Sequence, residues 1–142
     1  MSGPARCGIP MIAARPLPPP TVVVGRGRLG RALAGALGAV GRPPVVAAGR
    51  EAASDPGPVL EALRDAGPGA TLLLAVRDDL LGAIAARMAQ GTSSIPTGAV
   101  ALHHSGSLGP EAIGPLFSRG FATGSCHPLQ TFTGSPSDAG RF

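Results

Sequence analysis

Thr21-Val22-Val23-Val24-Gly25-Arg26-Gly27-Arg28-Leu29-Gly30 decides the reading of this chain. A β-branched apolar strand runs straight into G-x-G-x-x-G, and a helical pattern follows. In a strand–turn–helix unit each glycine has a physical task. Gly25 allows the tight turn, Gly27 lets the backbone approach a pyrophosphate, and Gly30 lets the new helix pack against the strand. The helix start adds free N–H groups and the positive end of its dipole. The expected ligand is a dinucleotide, with Arg26, Arg28 and Leu29 in the same loop.

The surroundings fit. The strand is apolar throughout, as in a sheet covered on both faces. Leu29, Leu33, Leu37 and Val40 then recur at helical spacing and predict one buried helix face. Gly41-Arg42-Pro43-Pro44 stops the helix, and Val45-Val46-Ala47-Ala48 reads as a second strand ending at Gly49-Arg50. Asp55-Pro56 opens a short helix carrying Val59, Leu60 and Leu63, closed by Gly67-Pro68-Gly69. Thr71-Leu72-Leu73-Leu74-Ala75-Val76 is the clearest buried strand. Asp78 and Asp79 start the next helix, lined by Leu80, Leu81, Ile84, Ala85 and Met88, with Gly91 just past its end and a polar loop over 92–98.

Ala99-Val100-Ala101-Leu102-His103 forms another strand, Pro110-Glu111 a short helix bearing Ile113, Leu116 and Phe117, and Phe121-Ala122-Thr123-Gly124-Ser125-Cys126 the last strand. Strands alternating with helices predict an α/β, Rossmann-like fold: a mainly parallel sheet with helices on both faces, in three layers. The expected organisation is a disordered leader over 1–19, a dinucleotide-binding domain over 20–134, and a linker or truncated tail over 135–142.

Composition narrows the function classes. The chain has 142 residues, 44% apolar and only 14% charged, against roughly 25% charged in typical soluble proteins. All its basic residues are Arg, a coding bias, so the pI of 11.0 reflects scattered arginines without a basic run. With four aromatics, all Phe, a nucleic-acid surface is not expected. No stretch approaches the roughly 18 apolar residues of a membrane span. Cys7 and Cys126 make neither a disulfide framework nor a zinc spacing. The cytoplasm is the expected compartment.

Ligands of an open parallel sheet bind beyond the carboxyl ends of its strands. Arg50 lies 20 residues past Gly30, where an acidic side chain would signal NAD; a guanidinium there suits the 2′-phosphate of NADP, with Arg26 and Ser54 as helpers. Val76 and Asp78, at the next strand tip, would pass beneath a ribose, and Asp78 could equally cap its helix. His103, Ser105 and His127 could orient a small-molecule substrate and donate a proton to its reduced carbonyl or imine; the alternative for each histidine is a hydrogen-bonded turn residue. A metal site at Cys126 and the histidines is the remote alternative.

Together GRGRLG after a strand, LLLAVRDD, LHHSGSLG and GSCHPLQTF resemble the N-terminal domain of a family of Rossmann-like oxidoreductases that carry a C-terminal helical domain of unknown function. Pyrroline-5-carboxylate reductase, ketopantoate reductase and 6-phosphogluconate dehydrogenase are related to that family. The resemblance spans about residues 20–134. It implies NADP binding through Gly25, Gly27, Gly30 and Arg50, with the loops at 103–107 and 127–130 facing an interdomain cleft. Arg77 stands where the family usually has proline, and 51–70 is too short for the strand the family inserts there. The chain is therefore expected to be the NADP-binding fragment of an oxidoreductase acting on a small oxo or imino acid, lacking its substrate and dimerisation domain. A homodimer is expected only with that domain supplied. The competing expectation is a non-catalytic nucleotide- or partner-binding module.

Overall fold

A computed structural model describes residues 20–91 and 94–141. The leader expected over 1–19, with Cys7, lies outside the described residues, as do Thr92 and Ser93 of the loop expected over 92–98.

Five strands form one parallel sheet: β1 (Thr21–Val24), β2 (Val45–Ala47), β3 (Thr71–Leu74), β4 (Val100–His103) and β5 (Ala122–Ser125), in the order β2-β1-β3-β4-β5. Five α-helices connect them: α1 (Arg28–Ala39), α2 (Gly49–Ser54), α3 (Gly57–Ala66), α4 (Asp78–Gly91) and α5 (Gly114–Phe117). Two 3-10 helices, Pro110–Ile113 and Pro136–Arg141, precede α5 and end the described chain. The sequence-based expectation of a Rossmann-like α/β fold holds. No strand occurs between β2 and β3; α2 and α3 fill that span.

Strand pleating assigns the layers. Val22, Val24, Leu72, Leu74 and Ala101 share a core with Val59, Leu60 and Leu63 of α3, Leu81, Ile84 and Met88 of α4, and Leu116 of α5. Val23 is fully buried but outside that cluster, so it points to the opposite face, where α1 packs on β1 and the C-terminal 3-10 helix packs along α1. The chain leaves β1 over one face to reach β2, then returns over the other to β3. The crossover direction therefore reverses between β1 and β3, the switch point at which such sheets open a crevice.

The expected buried face of α1 is corrected. Its buried residues are Gly30 and Ala32; Leu29, Leu33 and Leu37 are only half-buried, and Val40 lies past the helix end at 68% exposure. Small residues let the helix sit close to the sheet, which turns its leucines sideways. Phe117 is likewise outside the core, 67% exposed at the end of the four-residue α5. Phe121 is buried but precedes β5 rather than belonging to it. Asp55 accepts the Gly57 N–H at 2.9 Å, so α3 begins one residue later than Asp55-Pro56 suggested. Gly91 closes α4 from inside the helix.

The segment expected over 135–142 as a linker or truncated tail packs, in its described residues, along α1. Asp138, fully buried, accepts the N–H groups of Thr133 (2.8 Å) and Gly134 (2.7 Å) and the Thr133 hydroxyl. Phe132 is buried just ahead of it. Among the described residues no helix is long and apolar enough to cross a membrane.

Candidate functional site

The glycine turn lies at the switch point. Gly25, with φ +130°, is reachable only by glycine without strain. Its N–H donates to Ala47 O of β2 at 2.8 Å, while Ala75 N–H donates to Val24 O on the other side. A Cβ on Gly25 would fall on Ala75 O, and one on Gly30 would fall on Gly25 O. Gly27 differs: nothing stands within 4 Å of the position a Cβ would take. The tight turn and the close helix packing are thus both built, and the face before Gly27 is open.

Gly27 is the N-cap of α1, with extended dihedrals, no side-chain cap and no acidic residue in the first turn. The first amides of Arg28, Leu29 and Gly30 precede the start of the i→i−4 ladder, whose first bond is Arg31 N–H to Gly27 O at 3.0 Å. Arg26, Arg28 and Arg31 are all exposed around this end. Cations at a helix N-terminus oppose its dipole, and an anion bound there would offset that cost.

Arg50 is exposed in the first turn of α2, a helix the sequence reading took for a strand end. Helix formers in Glu51-Ala52-Ala53 were the signal. Gly49 touches Val76, whose Cγ1 would lie 2.6 Å from a Cβ there. These two residues join the exits of β2 and β3 behind the glycine turn. Ser54 is not brought to Arg50 as a helper. Its hydroxyl turns back onto the carbonyls of Arg50 (3.3 Å) and Glu51 (3.0 Å) at the far end of α2.

Asp78 is the first residue of α4, so it is not the N-cap, and its Oδ2 accepts the Ser107 hydroxyl at 2.9 Å. That bond ties the exit of β3 to the loop after β4; Ser107 was not singled out from the sequence. Arg77, one residue earlier, is held by Asp79 through Nε and Nη2 at 3.0 and 3.1 Å.

His103 is 0% exposed, and main-chain groups of its own loop hold both ring nitrogens. Nδ1 accepts the Ser105 N–H at 3.2 Å. Nε2 therefore carries the proton and donates to Gly109 O at 2.8 Å. Ser105 is also buried, its hydroxyl oxygen accepting the N–H groups of Ser107 and Leu108 at 3.1 Å each. Both side chains thus bond within the 103–109 loop, the turn-residue arrangement that the sequence offered for His103 beside the catalytic one.

His104 and His127 clasp the exits of β4 and β5. His104 Nδ1–H donates to Cys126 O at 2.6 Å, and His127 Nδ1–H donates to His104 O at 3.1 Å. His127 is exposed, with its ring lying on Gly106. His104 Nε2 is buried without a hydrogen-bond partner among the described residues. Burial holds the His104 imidazole below its ordinary pKa of 6.5 against the raising effect of its bond to Cys126; the neighbouring His103 and His127 lower it further. The adjacent His103-His104 pair was the sequence signal, and parity hid which member faces inward. Among the described residues no three His, Cys, Asp or Glu side chains converge on a metal position.

Two surface hollows lie away from these tips. One of about 390 Å³ sits at the opposite end of the sheet, between Val45 and Glu61 and Asp65 of α3. The other, about 550 Å³, runs between Gly35 and Gly38 of α1 and Ser135 and Pro136. No family model, curated protein or solved structure matches the chain.

Proposed function

We propose that this chain is the NADP-binding domain of an oxidoreductase that transfers hydride to or from a small oxo or imino acid. The observation that carries the reading is the turn at the β1/β3 switch point. Gly25 and Gly30 are locked by backbone contact there, while the face of Gly27 is open before an uncapped helix start with no acid in its first turn. A diphosphate at that position would accept the amides of Arg28, Leu29 and Gly30, with Arg26 and Arg28 neutralising its charge. Val76 would pack beneath the adenosine, Asp78 would accept a ribose hydroxyl, and Arg50 would grip the 2′-phosphate. The nicotinamide supplies the hydride chemistry; the protein binds and orients it.

On this reading the proton comes from His127, the exposed imidazole of the β5 exit, with His103 and Ser105 shaping the loop it lies on. A cytoplasmic setting belongs to the same proposal, since the two cysteines make no disulfide framework.

One observation favours a second reading, a non-catalytic nucleotide- or partner-binding module: two of the three expected catalytic side chains are spent on main-chain bonds. The two readings separate in one pair of assays. Titration followed by NADPH fluorescence is expected to saturate for the enzyme and for a nucleotide-binding module. Oxidation of NADPH by oxo or imino acids, with the helical domain of the resembled family added in trans, is expected only for the enzyme. Failure of NADPH to saturate overturns the enzyme and the nucleotide-binding module and leaves only a partner-binding one.

A further inference from the structure

The buried carboxylate of Asp138 is joined to the helix that opens from the glycine turn through Gly134. Its Oδ2 accepts the N–H groups of Thr133 and Gly134, and both its oxygens lie within reach of the Thr133 hydroxyl, at 3.3 and 3.2 Å. These bonds pin Gly134 in the left-handed region, at φ +86°. So fixed, Gly134 lies directly on α1: a Cβ there would stand 2.8 Å from Arg31 Nη2 and 3.4 Å from Arg28 Cγ. Arg28 and Arg31 are three residues apart, hence on one side of the first helical turns. Arg28 is the fourth residue of the Gly25-to-Gly30 motif.

Two arginines in the opening turns of a helix repel each other and the helix dipole, and long exposed side chains disperse unless something holds their stems. The 133–138 turn supplies that hold. We propose that Asp138 is a positioning residue for the phosphate end of the dinucleotide site, acting through Gly134 on Arg28 and Arg31. The proposal rests on the dinucleotide reading above. It makes the segment after 134 part of the site.

The test compares three ligands by isothermal titration: NADPH, ADP, which carries the diphosphate without the 2′-phosphate, and adenosine 2′-monophosphate, which keeps the adenosine and the Arg50 contact but lacks the diphosphate. Asp138→Asn is expected to weaken NADPH and ADP about tenfold and leave adenosine 2′-monophosphate within about twofold. Adding Arg28→Ala and Arg31→Ala to Asp138→Asn is expected to cost no more than those two arginine changes alone, because the path is shared. Should Asp138→Asn fail to fold, Thr133→Val, which removes one of the Asp138 bonds, is expected to give a smaller loss with the same ligand pattern. Unchanged NADPH affinity, or an equal loss for all three ligands, overturns the proposal while leaving the dinucleotide reading intact. A wild-type chain that binds none of the three overturns that reading and this one with it.

Discussion

The Cα of Gly30 rests on the carbonyl of Gly25, so closely that a methyl group at 30 would overlap the oxygen. This contact is how a 12-residue helix comes to stand at the mouth of β1 with its amide end over the switch point. The clash would be with backbone, which cannot rotate away as a side chain can. Gly30→Ala is therefore expected to destabilise the fold by about 3 kcal/mol, the upper end for overpacking. At equal fractions folded, Gly27→Ala, whose methyl would enter the open face where the diphosphate would rest, should weaken NADPH binding more than Gly30→Ala does. Urea denaturation and fluorescence titration of both variants check this; a Gly30→Ala variant as stable as wild type would contradict it.

His103 is expected to matter for stability rather than chemistry. Removing the ring strands the Ser105 N–H and the Gly109 carbonyl inside the 103–109 loop. His103→Leu, close in volume but without polar atoms, should cost about 2–4 kcal/mol. His103→Asn, whose side-chain oxygen can still accept the Ser105 N–H, should cost less. By contrast Ser107→Ala removes an exposed bond to Asp78 and should cost at most about 1 kcal/mol. Thermal unfolding of the three variants gives the ranking directly.

His104 gives the chain a pH dependence of known sign. Its native pKa lies below 6.5 because burial disfavours the cation. The unfolded chain therefore binds a proton before the native one does. The contribution is fully present above pH 6.5 and is lost as the pH falls from there through the lowered native value. Stability measured between pH 7 and pH 5 should fall, and His104→Gln should flatten that part of the curve. An imidazole signal for His104 that titrates at or above 6.5 by NMR would contradict the assignment.

Arg50 carries the choice between the two nicotinamide cofactors. Arg50→Ala is expected to raise the dissociation constant of NADPH about tenfold, or ~1.4 kcal/mol, and to leave NADH nearly unchanged. Parallel titrations with the two cofactors measure it; equal losses would mean that Arg50 does not meet the 2′-phosphate.

The sheet was legible because its strands are short β-branched or leucine runs bounded by glycine and proline, and because the alternation with helices admits few topologies. Gly25 and Gly30 were legible for a stronger reason: only glycine fits either place. What escaped was anything set by three-dimensional parity. His103 and His104 are neighbours with similar prospects in the sequence, yet one is closed into its own loop and the other clasps the next strand. Leu33 and Leu37 have helical spacing, but spacing does not tell how close the helix will lie, and Gly30 and Ala32 brought it near enough to turn them aside. The 133–138 turn reads as linker because its residues, Thr, Gly, Ser, Pro and Asp, are those of loops; Asp138 makes a folded unit of it through bonds to its own neighbours.

The central claim is that a diphosphate binds the amides that open α1. Amide chemical shifts in a ¹⁵N-labelled chain titrated with NADPH test it residue by residue. The account predicts the largest, saturable shifts at Gly27, Arg28, Leu29 and Gly30, with a second group around Arg50 and Val76. Shifts that leave residues 25–30 untouched while others move, or no shifts at millimolar NADPH, would contradict it.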